Sequence, residues 1–357
     1  MTKYNCAIIG FGNIGPKHAQ WITERSDRAV LKGIYDFRPE MKIKIEDAGY
    51  RPYETLQELI DDDVQLVVIA TPNDSHSVLA KKLLRAGKNV ICEKPAALSS
   101  ADVAEVIEVA KETGKLLSYH QNRRWDVEYL TGKKILDSGY IGKPYFIEVN
   151  IQNGRRGMYG WRGHKGSGGM TLDWGSHVID YLLCFDKSKV ISVDCHLKRL
   201  FAHGVDDNIR IFLNFESGLS AIIEITTNTF IAKPRWFISG EKGTASIELI
   251  RDSFLGDGAV NTKVVTIDSC TEKDDIDVLY DGDEIIKVPV KRSEITAKEV
   301  QIESVPNPTY RYYDNIFDAL DGKTELMVKP EEAVRVMKVI EAVFEADKLG
   351  HGIKTYI

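Results

Sequence analysis

The chain has 357 residues, 43% hydrophobic and 28% charged, with a net charge of -6. That length suits two domains, and the acidic balance offers no basic surface for nucleic acid or an anionic membrane. No apolar run approaches a membrane span, no apolar leader follows Met1, and the five cysteines form no C-x-x-C pair, so reduced thiols in a soluble cytoplasmic protein are expected, with no disulfide framework and no metal site.

The first 120 or so residues alternate strand and helix patterns. Cys6 to Ile9 is a short apolar run ending at Gly10, and a helical stretch follows from Ile14. Val30 to Tyr35 reads as a second strand closed by Asp36. Thr55 to Glu58 is a capping-box pattern that opens a helix. Val64 to Ala70 is a continuous apolar strand suited to burial on both faces of a parallel sheet. Helix Ser77 to Ala86, strand Asn89 to Cys92, a helix capped by Ser99 and strand Leu116 to Tyr119 complete the series. This order predicts a doubly wound parallel sheet.

After about Asn122 the pattern changes. Trp125 to Leu136 reads as a bridging helix. Period-two alternation then runs through Tyr145–Ile151, Ile191–Leu197, Ile209–Phe215 and Leu219–Ile225. An open, mostly antiparallel sheet is expected, in an α+β domain. Its uncovered apolar side predicts a homodimer or homotetramer. Residues 250 to 305, rich in Asp, Glu and Lys, read as an extra hairpin or a long excursion. Pro330 to Lys348 is an amphipathic helix expected to pack back across the domain junction. The expected domains are 1–122, binding a dinucleotide, and 123–357, binding substrate and forming the oligomer.

Gly10, Gly12, Asn13, Ile14 and Gly15 form G-x-G-x-x-G between a strand and a helix. Such glycines allow a tight turn, close approach of backbone amides to a pyrophosphate and close helix packing, with the helix N-terminus facing the phosphates. Asp36, 21 positions after Gly15, is suited to both hydroxyls of the adenosine ribose, which favours NAD. Arg38 could instead pair with the 2′-phosphate of NADP. Thr71, Pro72 and Asn73, with His76 beyond, end the strand from Val64 at the carboxyl edge that faces the dinucleotide. Glu93-Lys94-Pro95 ends the next strand there, and the proline stops it. A lysine alone is usually a solvated surface charge; this placement makes Lys94 a candidate.

Asp173 and His177 are four apart after Gly168-Gly169, so one helical turn puts both on one face. An imidazole and a carboxylate together are suited to removing an alcohol proton. Taken singly, each reads as a helix-start cap or a hydrogen-bonded histidine. Gln121, Asn122 and Arg123 follow the last parallel strand and are placed along the crevice, whereas Trp125 reads equally as packing at the junction.

Together these motifs resemble the glucose-fructose oxidoreductase / inositol dehydrogenase / MocA family: the Gly10 fingerprint, Ala70-Thr71-Pro72-Asn73 with His76, Glu93-Lys94-Pro95, Gln121-Asn122-Arg123-Arg124, and Gly168-Gly169 followed by Asp173-x-x-x-His177. The resemblance runs strongly from Tyr4 to about Leu183 and more loosely beyond. It implies a Rossmann domain followed by an open antiparallel sheet, with Lys94, Asp173 and His177 as the catalytic group. Lys94 would bind the reacting hydroxyl and the cofactor ribose, His177 would be the base in oxidation, and Lys94 could share the proton relay. Asp173 and Arg123 would touch the substrate. Glu93 and Asn122 would bind the cofactor, Trp161 and Arg162 fall where relatives touch the nicotinamide end, and Tyr159 and His164 could reach a sugar. The Gln121–Asp126 run looks like that of scyllo-inositol dehydrogenases, and Asp173-Trp174-Gly175 like that of members oxidising position 3 of a glucosyl ring. The implied activity is hydride transfer between NAD (or NADP) and a secondary alcohol or ketone of a sugar, glycoside or inositol. A glycosidase using transient oxidation, or a dinucleotide-sensing regulator without catalysis, are the other outcomes the family allows.

Overall fold

The computed structural model describes residues 3–158, 160–166, 168–202, 204–251, 258–267, 278–281, 284–287, 297–306 and 311–357. The first part builds β1 (Tyr4–Ile9), α1 (Gly15–Thr23), β2 (Ala29–Tyr35), α2 (Met41–Asp47), α3 (Leu56–Asp61), β3 (Leu66–Ile69), α4 (His76–Arg85), β4 (Asn89–Cys92), α5 (Ser100–Thr113) and β5 (Leu117–Tyr119). The five strands form one parallel sheet in the order β2-β1-β3-β4-β5. Leu66–Ile69 is buried throughout, as its unbroken apolar run requires when helices cover both faces. The order reverses between β1 and β3, and ligands bind such sheets at the carboxyl end of that switch point. Two sequence-legible caps hold: Thr55 accepts from the Glu58 amide and Ser99 from the Asp102 amide.

The 3₁₀ turn Asn122–Trp125 leads into α6 (Val127–Ser138) and β6 (Pro144–Gln152). There follow α7 (Ser176–Phe185), β7 (Val190–Lys198), β8 (Asn208–Phe215), β9 (Ser220–Thr226), β10 (Trp236–Gly240), β11 (Gly243–Arg251), β12 (Ala259–Ile267), β13 (Val278–Asp281), β14 (Glu284–Lys287) and β15 (Ala297–Val300). The chain ends with α8 (Tyr312–Leu320), α9 (Pro330–Leu349) and β16 (Ile353–Lys354). The second sheet has the order β15-β12-β11-β10-β6-β9-β8-β7-β16. It is antiparallel except where β6 and β9 run parallel. Among the described residues, β13 and β14 pair only with each other. The stretch 250–305 falls partly outside the described residues; its described part supplies the end of β11 and β12 to β15.

Two strand faces differ from simple alternation. A register shift between Val190 and Ser192 buries Val190 in place of Ile191. Another, opposite Ser239 and Gly240, leaves Tyr145 exposed. In each case an extra residue in one strand flips the faces on one side of it. One face of the sheet packs on α6, α7 and α9. The other carries Phe237, Glu148, Ile222 and Phe212 in one cross-strand row, beside an Arg210–Glu224 ion pair.

Helix α9 buries Val336, Met337, Ile340 and Val343, and its Glu341 accepts hydrogen bonds from the amide and hydroxyl of Ser100 at the start of α5. Helix α8 returns to the first sheet: Tyr312, Tyr313, Ile316 and Phe317 are buried with Trp21, Ile22 and Trp125. Sequence reading assigned no element there, although the same residues follow a helical period. No helix among the described residues is long and apolar enough to cross a membrane.

Candidate active site

The phosphate loop follows from sterics. Gly10 has φ +99°, and a Cβ there would lie 2.4 Å from the Ala70 carbonyl oxygen. At Gly12 a Cβ would meet nothing closer than the Arg38 side chain at 3.9 Å. Space therefore lies open over the loop, where a pyrophosphate would sit. No side chain caps α1 at Ile14, so its N-terminus is open to an anion, although Pro16 brings no N–H and the Lys17 amide already bonds the Ile14 oxygen.

At the end of β2, Asp36 Oδ2 accepts from the Phe11 amide at 2.7 Å. Arg38 grips the same carboxylate through Nε and Nη2, each at 2.9 Å. Burial opposes the charge of Asp36, but the hydrogen bonds from Arg38 and Phe11 outweigh it and hold its pKa below the ordinary value. Phe37, 60% exposed, adds an aromatic wall to this end of the cleft.

Strands β3 and β4 deliver the next residues. Asn73 is buried under the Thr71-Pro72 turn. Glu93 is buried too, and Oε1 takes hydrogen bonds from His18 Nε2 at 3.0 Å and His120 Nδ1 at 2.5 Å. His18 Nδ1 meets the Tyr313 hydroxyl at 2.6 Å, and Glu93 Oε2 accepts from the Lys94 amide. Burial opposes the Glu93 charge, but the His120 and His18 imidazoles outweigh it and hold its pKa well below the usual range. Burial, helped by His120, pushes His18 down to about 4. The neutral His18 ring thus donates to Glu93 and accepts from Tyr313. Removing one donor would leave the buried carboxylate short of a hydrogen bond, at about 1–3 kcal/mol or more because it is charged.

Lys94 is anchored across the chain. Its Nζ lies 2.6 Å from Asp173 Oδ1 and 3.1 Å from the Asp173 carbonyl oxygen. Asp173 Oδ2 accepts from Arg162 Nε at 2.6 Å. Burial opposes the Asp173 charge; Lys94 and Arg162 outweigh it and lower its pKa. The segment Thr171–Gly175 is a π-helical turn running into α7. Its start is tied down by Asp206, which accepts from the Thr171 amide and hydroxyl. The wider turn brings Asp173 and His177 to the same cavity. His177 Nδ1 lies 2.9 Å from Gln121 Oε1. Burial, then Lys94 and Arg123, pushes the His177 pKa well below 6.5. The Arg123 guanidinium stacks 4.0 Å above the Trp174 ring and bonds Asp126 at 2.6 Å. Arg124 clamps Asp180 of α7 and Glu332 of α9, which fixes the turn that carries Gln121 to Arg123.

Asp36, Arg38, Asn73, Glu93, Lys94, Arg123, Arg162, Asp173 and His177 border one cavity of about 910 Å³ that also takes in Phe37 and Trp174. Its volume and its two chemistries, a phosphate loop and a cation–carboxylate–imidazole group, fit a dinucleotide with a substrate beyond it.

Comparison with known proteins agrees. The model of the oxidoreductase family with an NAD-binding Rossmann fold matches residues 4–121, and that of the GFO/IDH/MocA C-terminal domain matches 129–246. The oxidoreductase YhhX of Escherichia coli is 31% identical over 244 residues, covering 67% of this chain and 70% of its own. The chain belongs to the GFO/IDH/MocA oxidoreductase family. IolW of Bacillus subtilis, an NADP⁺-dependent scyllo-inositol 2-dehydrogenase, is 27% identical over 96% of this chain and 93% of its own. The crystal structure of an NAD-binding protein from Listeria innocua superposes with a TM-score of 0.87 at 33% identity, over 99% of this chain and all of the other.

In this GFO/IDH/MocA oxidoreductase most sequence-chosen residues reach the cavity. Gly10, Gly12, Asn13, Ile14, Asp36 and Arg38 line one end, and Thr71, Pro72 and Asn73 the middle. Glu93, Lys94, Asn122, Arg123, Trp161, Arg162, His164, Asp173 and His177 line the other. His76 requires correction: it is buried away from the cavity, its ring nitrogens against the carbonyls of Pro95 and Thr71, and so ties two loops together. Gly15 also stays off the wall and acts by packing, since a Cβ there would lie 2.3 Å from the Gly10 oxygen. Tyr159 lies outside the described residues. Sequence reading missed His18, His120 and the partnership of Gln121 with His177. Only the spacing of His18, one helical turn beyond the fingerprint, offered a local signal.

Proposed function

We propose that this oxidoreductase moves a hydride between NAD and a secondary alcohol carbon of a sugar, glycoside or cyclitol, with residues 1–122 holding the dinucleotide and 123–357 the substrate. The observation that carries the reading is the Lys94–Asp173 ion pair beside His177 at one end of a dinucleotide-sized cavity. A nicotinamide bound there supplies a hydride acceptor in oxidation and a donor in reduction. The Lys94 ammonium donates to the reacting oxygen and stabilises the alkoxide that develops. His177 takes the hydroxyl proton, so the carbinol carbon loses one hydride and its oxygen one proton, leaving a ketone. Asp173 holds Lys94 on one carboxylate oxygen and Arg162 on the other, which aims both. Arg123, 4.0 Å over the Trp174 ring, offers with it a polar and an aromatic surface suited to a hydroxylated ring. Asp36, facing the ribose end, favours NAD. The row Phe212, Ile222 and Phe237 serves as the subunit contact of a homodimer or homotetramer, which light scattering tests.

The deciding experiment is a screen of sugars, inositols and glycosides with NAD and NADP side by side, followed by absorbance of the reduced cofactor and by chromatography of the products. Wild-type protein should reduce NAD with one substrate class. Lys94→Ala should lose turnover while still binding NAD. Unchanged turnover in Lys94→Ala, or bond cleavage without net reduced cofactor, overturns the assignment.

A further inference from the structure

We infer that Gln121 is a positioning residue that selects the tautomer of His177, protonated at Nδ1 and bare at Nε2, so that Nε2 faces the cavity as a proton acceptor. The inference rests on the proposed role of His177 and goes beyond it by naming the group that makes the imidazole competent.

Gln121 lies two residues past the end of β5 and is buried. Its amide lies between two groups: Oε1 is 2.9 Å from His177 Nδ1, and Nε2 is 3.4 Å from the Ser176 carbonyl oxygen. A carbonyl only accepts. Turning the amide over would set oxygen against oxygen at Ser176, so the network assigns the amide nitrogen to that side and its oxygen to the histidine. An oxygen beside Nδ1 requires a proton on Nδ1, and a neutral imidazole then carries its lone pair on Nε2. Nε2 has no partner among the described residues, and His177 borders the cavity. It is the ring atom left for a substrate hydroxyl.

The choice of a neutral amide has a reason in charge. Lys94 and Arg123 lie near His177 and disfavour the imidazolium. A carboxylate at position 121 would favour it, and an imidazolium cannot accept a proton. Gln121 fixes the tautomer and adds no charge, which leaves the base unprotonated at neutral pH. The hydroxyl proton then moves to Nε2 while the Nδ1 proton stays on the ring, shared with the amide oxygen.

The test has two arms. In ¹⁵N-histidine-labelled protein with NAD bound, the His177 resonances, assigned by their loss in His177→Asn, should show a protonated Nδ1 and an unprotonated Nε2 at pH 7.5. The opposite tautomer overturns the inference. This arm needs no turnover, so it is separate from failure to find a substrate. In the second arm, Gln121→Glu should move the acid limb of the kcat profile to higher pH. Gln121→Met, which keeps the bulk, should lower kcat with little change in KM, by tenfold up to the roughly 10⁴-fold that a wrong imidazole tautomer costs a serine protease. Gln121→Asn should restore less than the native rate but more than Met. An unmoved acid limb in Gln121→Glu, or native kcat in Gln121→Met, overturns the inference.

Discussion

Lys94 Nζ lies 2.6 Å from Asp173 Oδ1 although 79 residues separate them in the chain. The carboxylate is buried and holds a second cation, Arg162, on its other oxygen. Asp173→Asn would leave both cations facing each other across a neutral amide. Activity should fall by 10²-fold or more, and urea unfolding should report a loss of about 3 kcal/mol. A native rate together with native stability would contradict the central place given to this pair.

On the proposed reading, Asp36 and Arg38 set the choice of dinucleotide. Because Arg38 is drawn onto the carboxylate by two hydrogen bonds, it is withheld from a 2′-phosphate. Asp36→Ser removes the anion that repels NADP and releases the guanidinium. The ratio of kcat/KM for NADP over NAD should rise at least tenfold, or about 1.4 kcal/mol. A ratio that stays constant would mean that specificity lies elsewhere.

Two glycines of one loop should behave differently. A Cβ at Gly10 would meet the Ala70 carbonyl at 2.4 Å, with φ at +99°. Gly10→Ala should therefore destabilise the fold by more than about 1 kcal/mol. At Gly12 the same Cβ enters the space reserved for phosphate. Gly12→Ala should keep its melting temperature and bind NAD at least tenfold more weakly by calorimetry. Equal thermal shifts in the two variants would count against this division.

Acid should weaken the fold through His18. Its pKa is near 6.5 in an unfolded chain and about 4 in the native one, because burial opposes its charge. Between those values the unfolded chain binds a proton that the folded chain refuses. The contribution is complete above 6.5 and is lost as pH falls toward 4, by roughly 3 kcal/mol. His76 and His177, also lowered by burial, act in the same sense. Urea midpoints at pH 7.5, 6 and 5 should fall in that order, with a shallower fall in His18→Gln. A flat profile for the wild type would refute the burial argument.

The parallel sheet, the phosphate loop, Asp36, Lys94 and the Asp173–His177 spacing were legible in the sequence because each is a local matter. An apolar run, a glycine that must lack a Cβ, a proline that stops a strand and two residues one turn apart all act within a few positions of the chain. His76 shows the limit of that reading. Its place near the carboxyl edge was correct, but the direction of its ring depends on Pro95, which folds over it.

The tertiary structure alone decided who partners whom. Glu93 meets His18 and His120, at separations of 75 and 27 residues; His177 meets Gln121, 56 residues away; and α8 returns to the first sheet nearly 300 residues after Trp21. Periodicity says which face of an element is buried, but it carries no label for the surface that covers it. A buried donor or acceptor finds its partner only when the whole chain has packed, since the cost of leaving it unpaired in the interior is paid by the complete fold and not by any one segment.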